Sequence, residues 1–394
     1  MRTKFRKVLS LFGLGVALSV PLLSGAASPS FSCIEASLQA QLAAPLEEHY
    51  GQLKHSFQHH PHYSVEVAHP SEIKNQCALA TCHLHAWASV LEDSYQARTG
   101  TPLRLSTPYW SARHWLEQSL AAVDQPEVSL KVDLTASVGA SRQRILQFGA
   151  IPSDVWTAGD AFQSAPLSNR LTESVRNILA RTKTALHTQP DPARQAKLRA
   201  DAKTQISQIF ENVLGPFPEH FSYEGKPYTP LEFAEERFPE LRKPIVSMRP
   251  HLQRHDLREV ATTESLITVQ TSLEEIEKTA TQLLDEGKSV YLTFESNASF
   301  VSPGGILSVA GHSFPTAGRP LPRSLRNSLQ MTSGGHAVQL VGYDRDPKTG
   351  QVLKWKIRNS WGTSVGDQGY YHMYEDYFRT FVTSICFWKE TPLE

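Results

Sequence analysis

The hydrophobic period of this chain changes once, near Gly287, and that change points to an α+β fold. Before it, apolar residues recur at three- and four-residue intervals. Leu84, Trp87, Ala88, Leu91 and Tyr95 predict a helix over 82–98, stopped by Thr99-Gly100-Thr101-Pro102. A second helix is predicted over 142–148, closed by Gly149. Leu171, Val175, Ile178, Leu179, Thr182 and Leu186 mark a longer one, and Leu198, Ala202, Ile206, Ile209 and Val213 mark the next. Pro190-Asp191-Pro192 separates these two. Ser272-Leu273-Glu274-Glu275 reads as a capping box opening a helix that ends at Glu286. After Gly287 the pattern predicts antiparallel strands over 289–294, 337–343, 353–358 and 370–374, with residues 344–350 as a hairpin tip.

Arg2, Lys4, Arg6 and Lys7 precede an apolar run over 8–23 and the small residues Ser24-Gly25-Ala26-Ala27. That order is the anatomy of a cleaved export signal over 1–27, too short in its core for a membrane span. The expectation is a secreted or periplasmic product with no membrane attachment after cleavage. Residues 28–70 read as an N-terminal extension or short pro-segment with one or two short helical stretches, and His59-His60-Pro61-His62 as a solvated loop rather than a metal site. Lys plus Arg and Asp plus Glu balance at 39 each, which argues against a nucleic-acid partner.

Three motifs carry chemistry. Asn75-Gln76-Cys77-Ala78-Leu79-Ala80-Thr81-Cys82 ends on a thiol at the start of a buried helix, where the positive end of the helix dipole favours a thiolate. Gly335-His336-Ala337 opens a strand with an imidazole. Asn359-Ser360-Trp361-Gly362 follows the strand joined to it by the hairpin, 23 residues beyond His336 (359 − 336). A thiol that attacks a carbonyl needs a base, a group that orients the base, and donors for the oxyanion. Cys82 is the expected nucleophile, His336 its base and acid, and Asn359 the orienting amide. Gln76 and the backbone N–H of Cys82 are the expected oxyanion donors. Trp361 is expected to cover the His–Asn bond, and Gly139, Gly335 and Tyr109, with Trp110, to line the substrate groove. No metal or cofactor is expected. If Cys82 stays free, at most one disulfide forms among Cys33, Cys77 and Cys386.

These motifs resemble the papain superfamily of cysteine peptidases. Phe148-Gly149-Ala150-Ile151-Pro152 is similar to a turn of its bleomycin hydrolase and aminopeptidase C branch. So are the run from Val213-Leu214-Gly215-Pro216 to Phe221, Thr229-Pro230-Leu231-Glu232-Phe233, and Lys354-Trp355-Lys356. The resemblance runs over about residues 73–378 and implies a two-lobe peptidase domain over 71–394. Its parts are a helical lobe (75–160), a helical insertion (161–265) and an antiparallel sheet or barrel lobe (266–394). The insertion accounts for the 254 residues from Cys82 to His336 (336 − 82), against about 130–150 in papain-type chains.

The departures are His83 where Trp is usual, Ala80-Thr81 for Gly-Ser, Cys77 for Gly, and Ala140 after Gly139 where a glycine pair is usual. His83 is expected to fill packing space. Members of the branch are typically hexameric cytosolic aminopeptidases with a C-terminal arm across the cleft. The export signal and the ending Thr391-Pro392-Leu393-Glu394 lead instead to the expectation of a monomeric endopeptidase acting on peptides or proteins through an acyl-enzyme. The alternatives are aminopeptidase action, acyl transfer on the same fold, and a binding protein that has lost catalysis.

Overall fold

A computed structural model of the chain describes residues 53–68, 72–77, 79–125, 130, 132–156, 165–251, 265–297, 300–312 and 334–389. The export signal and the helical stretches expected before His59 lie outside the described residues.

The first described element is a two-residue strand, β1 (Val65–Glu66). Helix α1 (Cys82–Thr99) buries the predicted stripe. It also buries His83, His85, Glu92 and Asp93 on its other faces, so it is enclosed on nearly every side for three turns. Gly100 ends it in the left-handed region (φ 72°) with its N–H on Gln96 O, 2.7 Å away. The sequence reading missed α2 (Thr107–Asp124), which Ser106 caps by accepting the Tyr109 N–H at 3.3 Å. Helix α3 (Val138–Phe148) starts four residues before the predicted Arg142, because Ser137 caps it through the Ala140 N–H at 3.3 Å.

The two long helices form a hairpin, α4 (Ala165–Thr188) and α5 (Pro192–Leu214). Arg199 to Val123 O (3.1 Å), Lys203 to Asp124 (2.6 Å) and the Trp115–Phe210 edge contact hold it against α2. Leu214 rather than Val213 completes its buried stripe, Val213 being exposed. A small ribbon follows, β2 (Phe221–Tyr223) with β3 (Lys226–Tyr228), then α6 (Pro230–Arg237), opened by a full capping box of Thr229 and Glu232.

The remaining elements are β4 (Ile245–Pro250), β5 (Leu266–Thr271), α7 (Leu273–Asp285), β6 (Val290–Ser296), β7 (Ile306–Leu307), β8 (Gly334–Arg345), β9 (Val352–Arg358), β10 (Tyr370–Tyr374), α8 (Glu375–Phe381) and β11 (Val382–Trp388). The sheet runs β5-β4-β11-β6-β8-β9-β10-β7, with β1 added on β8. The α+β class stands, but the sheet is mixed rather than antiparallel: β4 pairs with β5, and β10 with β7, in parallel. Parallel neighbours need a crossover instead of a tight turn, so no hairpin signature announced them.

Alternation along β8 divides the core. Ala337, like Tyr291 on β6, belongs to the apolar cluster shared with α1, α2 and α3. Val338 and Leu340 belong to the cluster on the opposite face, with α7 and α8. Helix α1 therefore lies across β8, the strand that carries His336. Further along the sheet, the His59-His60-Pro61-His62 loop is partly pinned to it. His59 hydrogen-bonds Tyr374 at 3.1 Å and its ring lies 4.3 Å from that of His372, while Lys354 donates to His60 O.

Candidate active site

Three backbone segments meet at the N-terminal end of α1. Residues 74–76 run beside 360–362: Gln76 N–H donates to Ser360 O (2.8 Å) and Gly362 N–H to Lys74 O (3.0 Å). That pairing brings the Gln76 side chain to the site. Its amide N–H donates to Leu79 O at 2.8 Å and its carbonyl accepts from Ser360 Oγ at 2.7 Å, so the carboxamide is held from both ends. Cys77 takes a positive φ of 51°, supported by its N–H on Asn75 Oδ1 at 2.9 Å. It is disulfide-bonded, and its partner lies outside the described residues. Cys386 is a free, buried thiol.

Cys82 is the first residue of α1, half-buried and free. Thr81 makes no side-chain cap there. Burial on its own would raise the thiol pKa. The hydrogen bond and charge of His336, with the backbone N–H groups of Ala337 and His83, outweigh it and hold the thiol below its ordinary value. His336 is buried, and its Nε2 lies 2.8 Å from Asn359 Oδ1. The same Oδ1 accepts the Ser360 N–H at 2.8 Å. The amide oxygen therefore faces the ring, Nε2 is the protonated nitrogen, and Nδ1 is left to face the sulfur. Trp361 stacks on His336 (centroids 4.6 Å, planes 24° apart) and Phe294 meets it edge-on at 5.7 Å. Those rings cover the His–Asn bond. Cys82, His336, Asn359, Gln76 and Trp361 thus lie in one region of the structure.

Residues 244–391 match the model of the Peptidase C1-like family. Aminopeptidase G of Lactobacillus delbrueckii subsp. lactis is 22% identical over 371 residues, 83% of each chain. Human bleomycin hydrolase is 21% identical over 274 residues, 61% of this chain and 59% of that one. The match to aminopeptidase W of the same Lactobacillus, 36% over 70 residues, spans only 16% of that protein. The crystal structure of PepW from Lactobacillus rhamnosis HN001 superposes with a TM-score of 0.65 at 18% identity, covering 91% of this chain and 89% of that one, and so shares the fold. The chain is similar to the papain-like cysteine peptidases over residues 244–391 and shares their fold.

Within this fold, His83 packs as expected. It is buried, with Nε2 2.9 Å from Leu134 O and Nδ1 2.8 Å from Ser141 Oγ. Burial lowers its pKa to about 3, so it is neutral beside the thiol. Gly335 is exposed next to His336, with open space where a side chain would stand. Gly139 lies in the first turn of α3, two residues before the Ser141 that binds His83. A Cβ there would come 2.9 Å from the Leu266 side chain.

Tyr109 and Trp110 do not line a groove. Both are 1% exposed, and they hydrogen-bond Phe148 O (2.9 Å) and Gly149 O (2.7 Å) inside the helical core. Their polar atoms seek backbone carbonyls because nothing else can satisfy them there. The sequence reading missed Ser360, which anchors Gln76; its place inside Asn359-Ser360-Trp361-Gly362 was the available signal. Among the described residues no group of three or more His, Cys, Asp or Glu is placed to hold a metal.

A depressed thiol pKa leaves more thiolate at every pH below the ordinary value. Alkylation of Cys82 should therefore fall off at a lower pH than that of an ordinary thiol. Labelling of Cys82 by iodoacetamide at about pH 6, followed by peptide mass, should exceed that of a free cysteine by about tenfold or more.

Proposed function

We propose that this protein cleaves peptide bonds through a triad of Cys82, His336 and Asn359. The observation that carries the reading is one imidazole placed between two partners: Asn359 Oδ1 at 2.8 Å on Nε2 and the Cys82 thiol hydrogen-bonded to the same ring. His336 takes the thiol proton, and the sulfur adds to the scissile carbonyl. The second N–H of the Gln76 amide and the backbone N–H of Cys82 stabilise the oxyanion. The C–N bond then breaks as the imidazolium gives its proton to the leaving amine, leaving a thioester. Water, deprotonated by His336, adds to the thioester; the acid departs and the thiol regains its proton.

Two readings of cleavage mode compete. The sequence expectation is internal cleavage by an exported monomer. The relatives aminopeptidase G and aminopeptidase W favour removal of N-terminal residues. Export is supported by the basic, apolar and small-residue order at the N-terminus and by the disulfide at Cys77, since disulfides persist in oxidising compartments. A peptide library offered in free and N-acetylated forms to wild type and Cys82→Ala tests the whole reading. Cleavage of acetylated peptides establishes the endopeptidase. A strict need for a free N-terminus establishes the aminopeptidase. Hydrolysis that survives Cys82→Ala overturns both.

A further inference from the structure

A buried polar network joins every segment that carries a candidate catalytic group to one turn of α1. Glu92, fully buried, accepts Lys74 Nζ at 2.6 Å and the Leu105 N–H at 2.7 Å. Lys74 stands two residues before Gln76. The next residue of the helix, Asp93, accepts Gln339 Nε2 on Oδ2 at 2.6 Å, and its Oδ1 lies 3.7 Å from Arg358. Gln339 is the hub. Its amide also donates to Ser289 Oγ (2.8 Å), and its carbonyl accepts from Arg358 at 3.3 Å. Gln339 lies three residues beyond His336 on β8, Arg358 immediately precedes Asn359 on β9, and the two are register partners. Arg358 closes the loop by donating to Glu72 O at 2.6 Å, two residues before Lys74.

We propose that Asp93 and Gln339 are positioning residues of the triad, setting the distance between the thiol on α1 and the imidazole and amide on β8 and β9. This rests on the triad reading above. Stability alone is a weak reason for such a network, because apolar replacements of buried ion pairs are often as stable. What an apolar core would not supply is a directional bond from α1 to both strands, three residues from His336 and one from Asn359. Apolar contacts alone are non-directional and would allow α1 small shifts over β8. Thiol–imidazole transfer tolerates little of that, since about 1 Å of misplacement costs about 100-fold in rate.

The network also titrates. Burial, opposed by Arg358, pushes the Asp93 carboxyl up to about 7. Charged and titratable groups facing the network are Glu92 on α1, Lys74 from the segment before α1, Arg104 from the segment after it, Arg358 on β9 and Tyr370 on β10.

The test uses the full chain and two readouts: the pH profile of Cys82 alkylation, followed by the mass of its peptide, and kcat with KM on a cleaved peptide. Asp93→Asn keeps the shape and removes the charge. Gln339→Leu removes the hub. The exchange Asp93→Asn with Gln339→Glu restores a donor–acceptor pair in reverse. We expect each single variant, with an unchanged near-UV spectrum, to lose on the order of 10- to 100-fold in kcat at about pH 8, where wild-type Asp93 is charged, and to shift the Cys82 alkylation profile upward in pH, with KM little changed. The exchange should recover most of that loss. Folded single variants that keep the wild-type profile and kcat overturn the proposal, as does an exchange that recovers nothing. Should Gln339→Leu fail to fold, Asp93→Asn and the exchange decide. A wild-type Cys82 with the profile of a free thiol overturns the triad reading itself, a result distinct from unaltered variants.

Discussion

Replacing His336 by alanine should lower kcat/KM for peptide hydrolysis by about 10⁴-fold or more, and return Cys82 to the alkylation rate of an ordinary thiol at about pH 6. The expectation follows from the several tasks that one ring performs. On the proposed mechanism it would favour the thiolate against the cost of burial, supply the proton without which the amine cannot leave, and activate the water that clears the thioester. A cysteine left alone is a few per cent thiolate near neutrality, so the first task would be lost in part and the other two completely. Groups that act as a unit are not additive. The double variant His336→Ala with Cys82→Ala should therefore lose little beyond either single one. Progress curves on a fluorogenic peptide, normalised to protein concentration, measure both. A His336→Ala enzyme keeping more than about 1% of activity would mean that another base serves Cys82.

Gly149→Ala should destabilise the fold by about 4 kcal/mol, read as a shift of the urea midpoint with an unchanged slope. Two costs combine. Gly149 takes φ 71° and ψ −161°, a backbone region open in practice to glycine alone. A Cβ there would also stand 2.2 Å from Pro230 C, 2.3 Å from Pro230 O and 2.4 Å from Leu231 N, all backbone atoms that cannot rotate away. Around it, Ala150 N–H donates to Pro230 O (2.8 Å) and Trp110 to Gly149 O (2.7 Å), so the turn has no room to move. Gly100→Ala is the control: its φ is 72° but nothing lies within 4 Å of the added carbon, so the cost should be about 1 kcal/mol. The segment from Phe148 to Pro152, which first pointed to the family branch, is thus a packing requirement between α3 and α6. A folded Gly149→Ala enzyme with wild-type urea stability would disprove this.

Much of the site was legible because its parts are short and local. Cys82 opens a helix with a clean apolar stripe, and His336 and Asn359 flank a hairpin whose turn residues are conspicuous. Helix α2 was not legible. It is buried on most of its surface, with Thr107, Ser111, His114 and Ser119 enclosed beside Tyr109, Trp110 and Trp115; without a polar face there is no stripe to detect. The same burial turned Tyr109 and Trp110 from expected groove residues into core. Strands β4, β5 and β7 pair with partners far away in sequence or in parallel, which a local pattern cannot register. The network of Lys74, Glu92, Asp93, Gln339 and Arg358 was the least visible. Each member reads alone as an ordinary polar residue, and only the crossing of α1 over β8 and β9 assembles them.

The cross-link at Cys77 sits one residue from Gln76 and five from Cys82. The chain therefore asks for opposite redox states within a few residues: an oxidised sulfur beside the amide that would steady the oxyanion, and a reduced one that attacks. Dithiol buffers, the habitual protection for enzymes with a reactive sulfur, would guard the second while eroding the first. Handling this protein is accordingly a matter of poise, with a mild monothiol in place of a strong reductant.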